Sequence, residues 1–370
     1  MSCRACTKVG KLYTCTQARV PNVLIQHLCY SDLRGKRKHN PNAKTTLRTI
    51  QVCLSALRNT SGGKLIIHIS GQSCSDRFLG YFDEFLEESL NNLICDGQLF
   101  ADAYERHWLW KLPNFKNYRD FIVISVTETK GVATVDFKTK ICSDLKVERP
   151  SALNILSLLC DSVSPRVKAA EFRGIEPVPY ESRHVQLKTF KPKEDDRKII
   201  DNDPERFANY VWDKLRFREY LSCMTKIEDG GSYYLGITEK KNTFTTHGEV
   251  KYESLVPHIE GFELQFDVDE LERQLIRVIT SGATIYFANS CFMDIPKELV
   301  KFKFYNVARD KYVLEIAVGS LAGGIVFFDK QGPEAYQIVS TGNVERLTKE
   351  DWLLRMRSTL NDICMSINID

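Results

Sequence analysis

Glu181, His184, Gln186, Lys188 and Glu239 are the polar residues whose types and spacing could do chemistry. In "YESRHVQLKTFK" (180–191) a strand would turn Val185 and Leu187 to one face and His184, Gln186 and Lys188 to the other, with Glu181 at its entrance. Glu239 ends a second apolar run, "GGSYYLGITEKKN" (230–242). Two carboxylates brought together could hold Mg²⁺ or Mn²⁺, which takes oxygen ligands and keeps waters. One such water can attack phosphorus, and a neighbouring lysine can steady the phosphate charge. The chemistry would be metal-assisted cleavage of a phosphate ester. The same residues also suit an ordinary exposed strand face, and for His184 that use is favoured over general-acid work.

The elements that must position these residues occur twice. "LSALRNTSGGKLIIHI" (54–69) and "LSCMTKIEDGGSYYLGI" (221–237) both read as a short helix, a polar break, Gly-Gly and an apolar strand. "DFIVISV" (120–126) parallels "KYVLEIAV" (311–318). "KVERPSAL" (146–153) parallels "NVERLTKEDW" (343–352), and Ser151 and Thr348 are placed as helix N-caps. Three matches in one order predict an α+β protein of two similar lobes from an internal duplication, each a small mixed or antiparallel sheet backed by helices. The expected division is a flexible N-terminus (1–24), an N-lobe (25–160), a linker (161–180), a C-lobe carrying the site (181–360) and a tail (361–370). Pro165, Pro177 and Pro179 favour extended backbone in the linker. The glycine pairs fit either a helix C-cap with a turn or a close approach of another backbone.

The 370 residues are 43% hydrophobic and 27% charged, and no stretch is long and apolar enough to span a bilayer, so no membrane insertion is expected. The first residues lack a signal-peptide core, which predicts a cytoplasmic or nuclear protein. The twelve cysteines are then expected as reduced thiols. Only Cys3-x-x-Cys6 has ligand spacing; Cys15, His27 and Cys29 follow it, and free thiols rather than zinc are expected there. The net charge of +3 is unevenly spread. No Asp or Glu occurs from Leu33 to Ser75, and Arg34, Lys36, Arg37 and Lys38 in that stretch, with Arg183 beside the polar strand, are the candidate contacts to a nucleic-acid backbone. An acidic segment from Asp83 to Asp102 follows. "AYERHWLW" (103–110) gathers Tyr104, His107, Trp108 and Trp110, which suit base stacking or a buried seam.

"ESRHVQLKTF", "LSCMTKIEDGGSYYLGITEK" and "VSTGNVERLTKEDWLLRM" resemble, in order, three stretches of the Schlafen core domain, and "CLSALRNTSGGKLII" resembles the corresponding part of that family's first lobe. The resemblance runs from about residue 25 to 358 and is to a core-only member. It implies a horseshoe of two like lobes around a basic valley, and RNA cleavage with a divalent metal and three acids. By that resemblance the first acid is Glu181, the third is Glu239, and the family's lysine is Lys188. The second acid falls on Gln186, which lowers the charge available to a hard cation. The family's structural zinc ligands fall on Ile285, Phe287, Gly323 and Gly324, none of which can replace them, so apolar packing is expected at that corner.

The function implied is a Schlafen-like RNA-binding subunit of a heteromeric endoribonuclease that processes small-RNA precursors of the piRNA type, partnered by RNA and other Schlafen-like subunits. Two alternatives stand beside it. One is an active Mg²⁺- or Mn²⁺-dependent endoribonuclease on structured RNA such as tRNA, with Asp229 or Glu228 as the third carboxylate. The other is a protein-interaction module without catalysis.

Overall fold

A computed structural model describes residues 3–16, 20–33, 41–71, 104–129, 131–143, 146–151, 154–155, 157–158, 166–200, 202–245, 251–287, 292–356 and 358. It is a mixed α+β protein with several small sheets backed by helices. Its contacts group residues 1–137 with 333–370, and 138–332 separately.

The first unit contains α1 (Arg4–Thr16), β1 (Val23–Cys29), α2 (Tyr30–Leu33), α3 (Pro41–Arg58), β2 (Gly63–Ser70), β3 (Tyr104–Trp108), β4 (Phe121–Val126) and β5 (Thr134–Asp136). Its sheet has the order β1-β2-β4-β3, with β1 parallel to β2 and the other pairs antiparallel. Leu65, Ile66 and Ile67 of β2 are all fully buried. The continuous apolar run is explained by cover on both faces. Ile50, Leu54 and Leu57 of α3 pack with Leu65 and Ile67, and Val9 and Tyr13 of α1 pack with Ile66, Phe121 and Val123. Residues 4–16 are therefore not part of a flexible terminus. Their apolar side chains at positions 9 and 13 share one helical face and close the sheet.

Two later strands, β20 (Glu334–Ile338) and β21 (Val344–Arg346), also belong to this unit. β20 pairs with β5 and β21. Buried Ser55 of α3 donates to the Ala133 carbonyl at 2.7 Å and accepts the Tyr336 N–H at 3.0 Å. Thr348 caps the next helical run, accepting the Asp351 N–H at 3.0 Å. Trp352 is fully buried, and its indole donates to Thr134 at 3.0 Å. The bonds of Ser55 and Trp352 tie residues 333–356 to the first unit, whereas the repeat pattern assigns 333–360 to the C-lobe.

The second unit opens with β6 (Ile141–Ser143), β7 (Lys146–Glu148) and β8 (Arg166–Lys168), and the Lys140 N–H donates to Ser222 at 3.0 Å. Its main sheet is built from β9 (Val185–Lys188), β10 (Gly231–Leu235), β13 (Phe262–Glu263), β16 (Val300–Ala308) and β17 (Lys311–Val318). β9 runs parallel to β10, while β10–β17 and β16–β17 are antiparallel. β11 (Ile237–Thr245) and β12 (Lys251–Ile259) form a long hairpin. β14 (Thr284–Phe287), β15 (Phe292–Met293) and β19 (Gly324–Phe327) make a small sheet, and β18 (Ser320–Ala322) pairs with β8. At the corner where the sequence lacks zinc ligands, Ile285 pairs with Val326 and Phe287 with Gly324, and all but the glycine join the apolar core.

Helices Phe217–Met224 and Val268–Gly282 cover one face of the main sheet through Leu221, Leu275 and Ile279. Ile175 and Val178 pack on the other face with Leu187, Tyr234 and Val313. Residues 166–180 are thus part of the second unit and not a free linker. Their anchor is Glu315, fully buried on β17, which accepts from the Arg173 N–H, the Gly174 N–H, Ser232, Tyr234 and Tyr305.

Candidate functional site

The parallel pair β9–β10 ends with Lys188 opposite Leu235. Along β9, Val185 and Leu187 are buried while Gln186 and Lys188 are half-exposed, as the alternation predicts. A turn closed by reciprocal Ser182 and Val185 backbone hydrogen bonds folds Glu181 back along this strand. The Glu181 carboxylate then accepts the Leu187 N–H at 3.1 Å and the side-chain amide of Gln186 through the same oxygen, Oε1.

Gly236, at φ +98°, turns the chain out of β10 while its N–H holds the Lys188 carbonyl at 2.8 Å. Three residues later Glu239 stands within the electrostatic reach of both Glu181 and Lys188. Burial, then the Glu181 charge, raises the Glu239 carboxyl above its usual range, against the pull of Lys188. Burial lowers the Lys188 ammonium, and the two carboxylates resist that change. Glu181 and Gln186 are thus hydrogen-bonded beside this strand, and Lys188 and Glu239 lie within electrostatic range of Glu181 and of each other.

Two further residues complete the cluster. The Lys188 ammonium lies 5.0 Å from the centre of the Tyr220 ring, a cation–π contact. Arg216 acts on Lys188 as a like charge and is paired with Glu219 at 2.5 Å. Arg216 takes left-handed backbone (φ 61°) just before helix Phe217–Met224, and Tyr220 follows one turn later. Their closeness in "RFREY" is the signal that could have found them, since Tyr220 falls one turn into the helix that Arg216 precedes.

Other candidates fall elsewhere. His184 donates through Nδ1 to the Gly230 carbonyl at 2.7 Å and accepts from Arg183 at 3.0 Å, so both are tied to the glycine turn. Asp229 is ion-paired with Lys168, which holds its carboxyl below the usual range. Trp108 is buried in the first unit's core and Trp110 is exposed. Arg34, Lys36, Arg37, Lys38 and the acidic segment lie outside the described residues.

A second constellation lies in the first unit. Cys3 and Cys6 stand at the start of α1, His27 on β1 and His68 on β2, with one ligand atom from each within 4.8 Å of the others. His27 and His68 are register partners across the parallel pair. Cys15 and Cys29, the other thiols near this pair in sequence, are exposed and outside the group. The missing member was His68, hidden because only strand pairing brings it beside His27. The Cys6 backbone N–H lowers the Cys3 thiol, while burial pushes Cys6 up to about 12.

No protein-family model and no curated protein matches the chain.

Proposed function

We propose that the chain is a Schlafen-like RNA-binding subunit with a degenerate metal site, working within a heteromeric endoribonuclease on small-RNA precursors of the piRNA type. The observation that carries this reading is that Gln186 is hydrogen-bonded to Glu181 while Lys188 and Glu239 lie within electrostatic range of that carboxylate. Two carboxylates beside a lysine and Arg216 suit a phosphodiester near a hard cation. Gln186 uses its amide as a donor to Glu181 where a third carboxylate would add charge. A site with two acids and an internal donor holds Mg²⁺ or Mn²⁺ weakly, so RNA retention outlasts cutting.

Duplication of the two halves underlies the same reading. It is supported by a shared sheet order, in which β1, β2, β4 and β3 correspond to β9, β10, β17 and β16. Ser55 and Ser222, equivalent in the repeats, each accept a backbone N–H, from Tyr336 and Lys140. Each glycine pair fits between two carbonyls: a Cβ on Gly62 or Gly230 would meet the oxygen of Val126 or Val318, and one on Gly63 or Gly231 that of Asn22 or His184.

The test is fluorescence anisotropy of a labelled tRNA against salt, with a Mn²⁺ cleavage assay on the same protein. Binding that falls steeply with salt, without cleavage, is expected. Cleavage abolished by Glu181→Ala would instead make the chain an active nuclease. Neither binding nor cleavage would leave an interaction module and overturn the proposal.

A further inference from the structure

We propose that Cys3, Cys6, His27 and His68 form a closed tetrahedral zinc site that fastens α1 to the first sheet. This site lies in the other unit from the acidic cluster and does not depend on the function proposed for it. The spacing of the donor atoms carries the inference. His68 Nδ1 lies 3.3 Å from Cys6 Sγ, 3.5 Å from Cys3 Sγ and 2.9 Å from His27 Nδ1, and Cys6 Sγ lies 3.7 Å from His27 Nδ1. A tetrahedral zinc with ordinary Zn–N and Zn–S bonds separates its ligands by about 3.3 Å for two nitrogens and about 3.6 Å for nitrogen and sulfur. The four atoms enclose room for one ion and not for a polynuclear cluster.

The surroundings are those of a ligand set. Both histidines point Nδ1 inward, and each has its other nitrogen engaged. Asp120 takes His68 Nε2 at 2.7 Å, and Ser70 Oγ lies 3.3 Å from His27 Nε2. A carboxylate behind a metal-bound imidazole sets its tautomer and raises its basicity. His68 is 5% exposed and stacks on Phe121 at 4.2 Å, so its ring is held before any ion arrives. Two thiolates and two imidazoles favour zinc over Mg²⁺ or Mn²⁺, which prefer oxygen. All four positions are filled by protein, which makes the site structural rather than catalytic.

Ligation joins the first turn of α1 to β1 and β2, the elements that α1 covers through Val9 and Tyr13. On binding, the two thiols lose their protons to solvent and the ion remains Zn²⁺ throughout, so no oxidant is needed.

The experiment measures metal content of the full chain purified without chelator, followed by Co²⁺ titration of the stripped protein. About one zinc per chain is expected, as is tetrahedral Co²⁺ absorption with a thiolate charge-transfer band. Cys6→Ser should lose both signals, while Cys15→Ser and Cys29→Ser keep them. Asp120→Asn retains all four ligands and should weaken zinc binding by about 10- to 100-fold. Stripping the unmutated chain should lower Tm by about 5 °C or more, restored by Zn²⁺ and not by Mg²⁺. This arm stands even if Cys6→Ser does not fold. Zinc absent from the unmutated chain with no Co²⁺ spectrum, a Cys3–Cys6 disulfide in its place, or zinc retained in Cys6→Ser would overturn the proposal. Glu181→Ala keeps its zinc, which separates this result from any failure at the acidic cluster.

Discussion

Gln186 donates its side-chain amide to Glu181 through the same carboxylate oxygen that accepts the Leu187 backbone N–H at 3.1 Å. A glutamine thus occupies its neighbour's charge from within. The same geometry would set two carboxylates against each other if residue 186 were acidic.

Gln186→Glu therefore reverses a sign. Without metal, three clustered carboxylates repel, and the variant unfolds at lower urea than the parent. With Mn²⁺, the added charge raises affinity by about tenfold, or ~1.4 kcal/mol. Calorimetric titration of both proteins checks this. Equal affinities would mean that the third position does not reach the ion.

Lys226 predicts a pH dependence. Lys226 is half-buried, its ammonium donates to Thr139 at 2.7 Å, and desolvation lowers its pKa from 10.5 to about 7. Between those values the unfolded chain binds more protons than the folded one, so this residue makes stability rise with pH from about 7 to 10.5. Below about 7 its full cost is present. The slope approaches about 1.4 kcal/mol per pH unit at most. Urea titrations of the parent and Lys226→Met should differ by this slope within the window. Parallel curves would show that Lys226 titrates normally.

Gly230→Ala tests the glycine turn. Its φ of +60° disfavours any side chain, and a Cβ there would sit 1.9 Å from the Val318 carbonyl oxygen. A loss of roughly 3 kcal/mol or more is expected from the clash and the backbone strain together. A change under about 1 kcal/mol in chemical denaturation would mean that the turn opens freely.

Glu315→Ala removes the acceptor of the Arg173 and Gly174 N–H groups, Ser232 and Tyr305, while Tyr234 keeps the Gly174 carbonyl at 2.7 Å. The expected cost is about 3–5 kcal/mol, with Glu315→Gln intermediate because its amide replaces one acceptor by a donor. Hydrogen exchange at the Arg173 and Gly174 amides should accelerate in both variants. Unchanged protection would show that residues 172–180 are held by Ile175 and Val178 alone.

The strand around Gln186 was legible because alternation is local: Val185 and Leu187 bury and their neighbours do not. The caps at Ser151 and Thr348 were legible for the same reason, each bonded to the residue three positions on. The role of residues 4–16 was not, since a helix with few long apolar side chains reads as a terminus until the sheet it covers is known. Nor was the place of residues 166–180, whose proline-rich sequence reads as a linker while Glu315, far along the chain, anchors it.

Composition, periodicity and the repeated glycine strands were enough to specify an α+β chain and to mark a polar strand face with His184, Gln186 and Lys188, because those patterns express backbone geometry over a few residues; the choice of Glu181, Gln186, Lys188 and Glu239 as one site came from the resemblance. Which side chains become neighbours was decided by strand pairing and helix docking. Register set His27 against His68, the turn at Ser182 laid Glu181 on Gln186, and Arg216 and Tyr220 arrived with a helix packed for its apolar face. Contacts between residues distant in the chain depend on how whole elements exclude water together, and no short window of sequence contains that information.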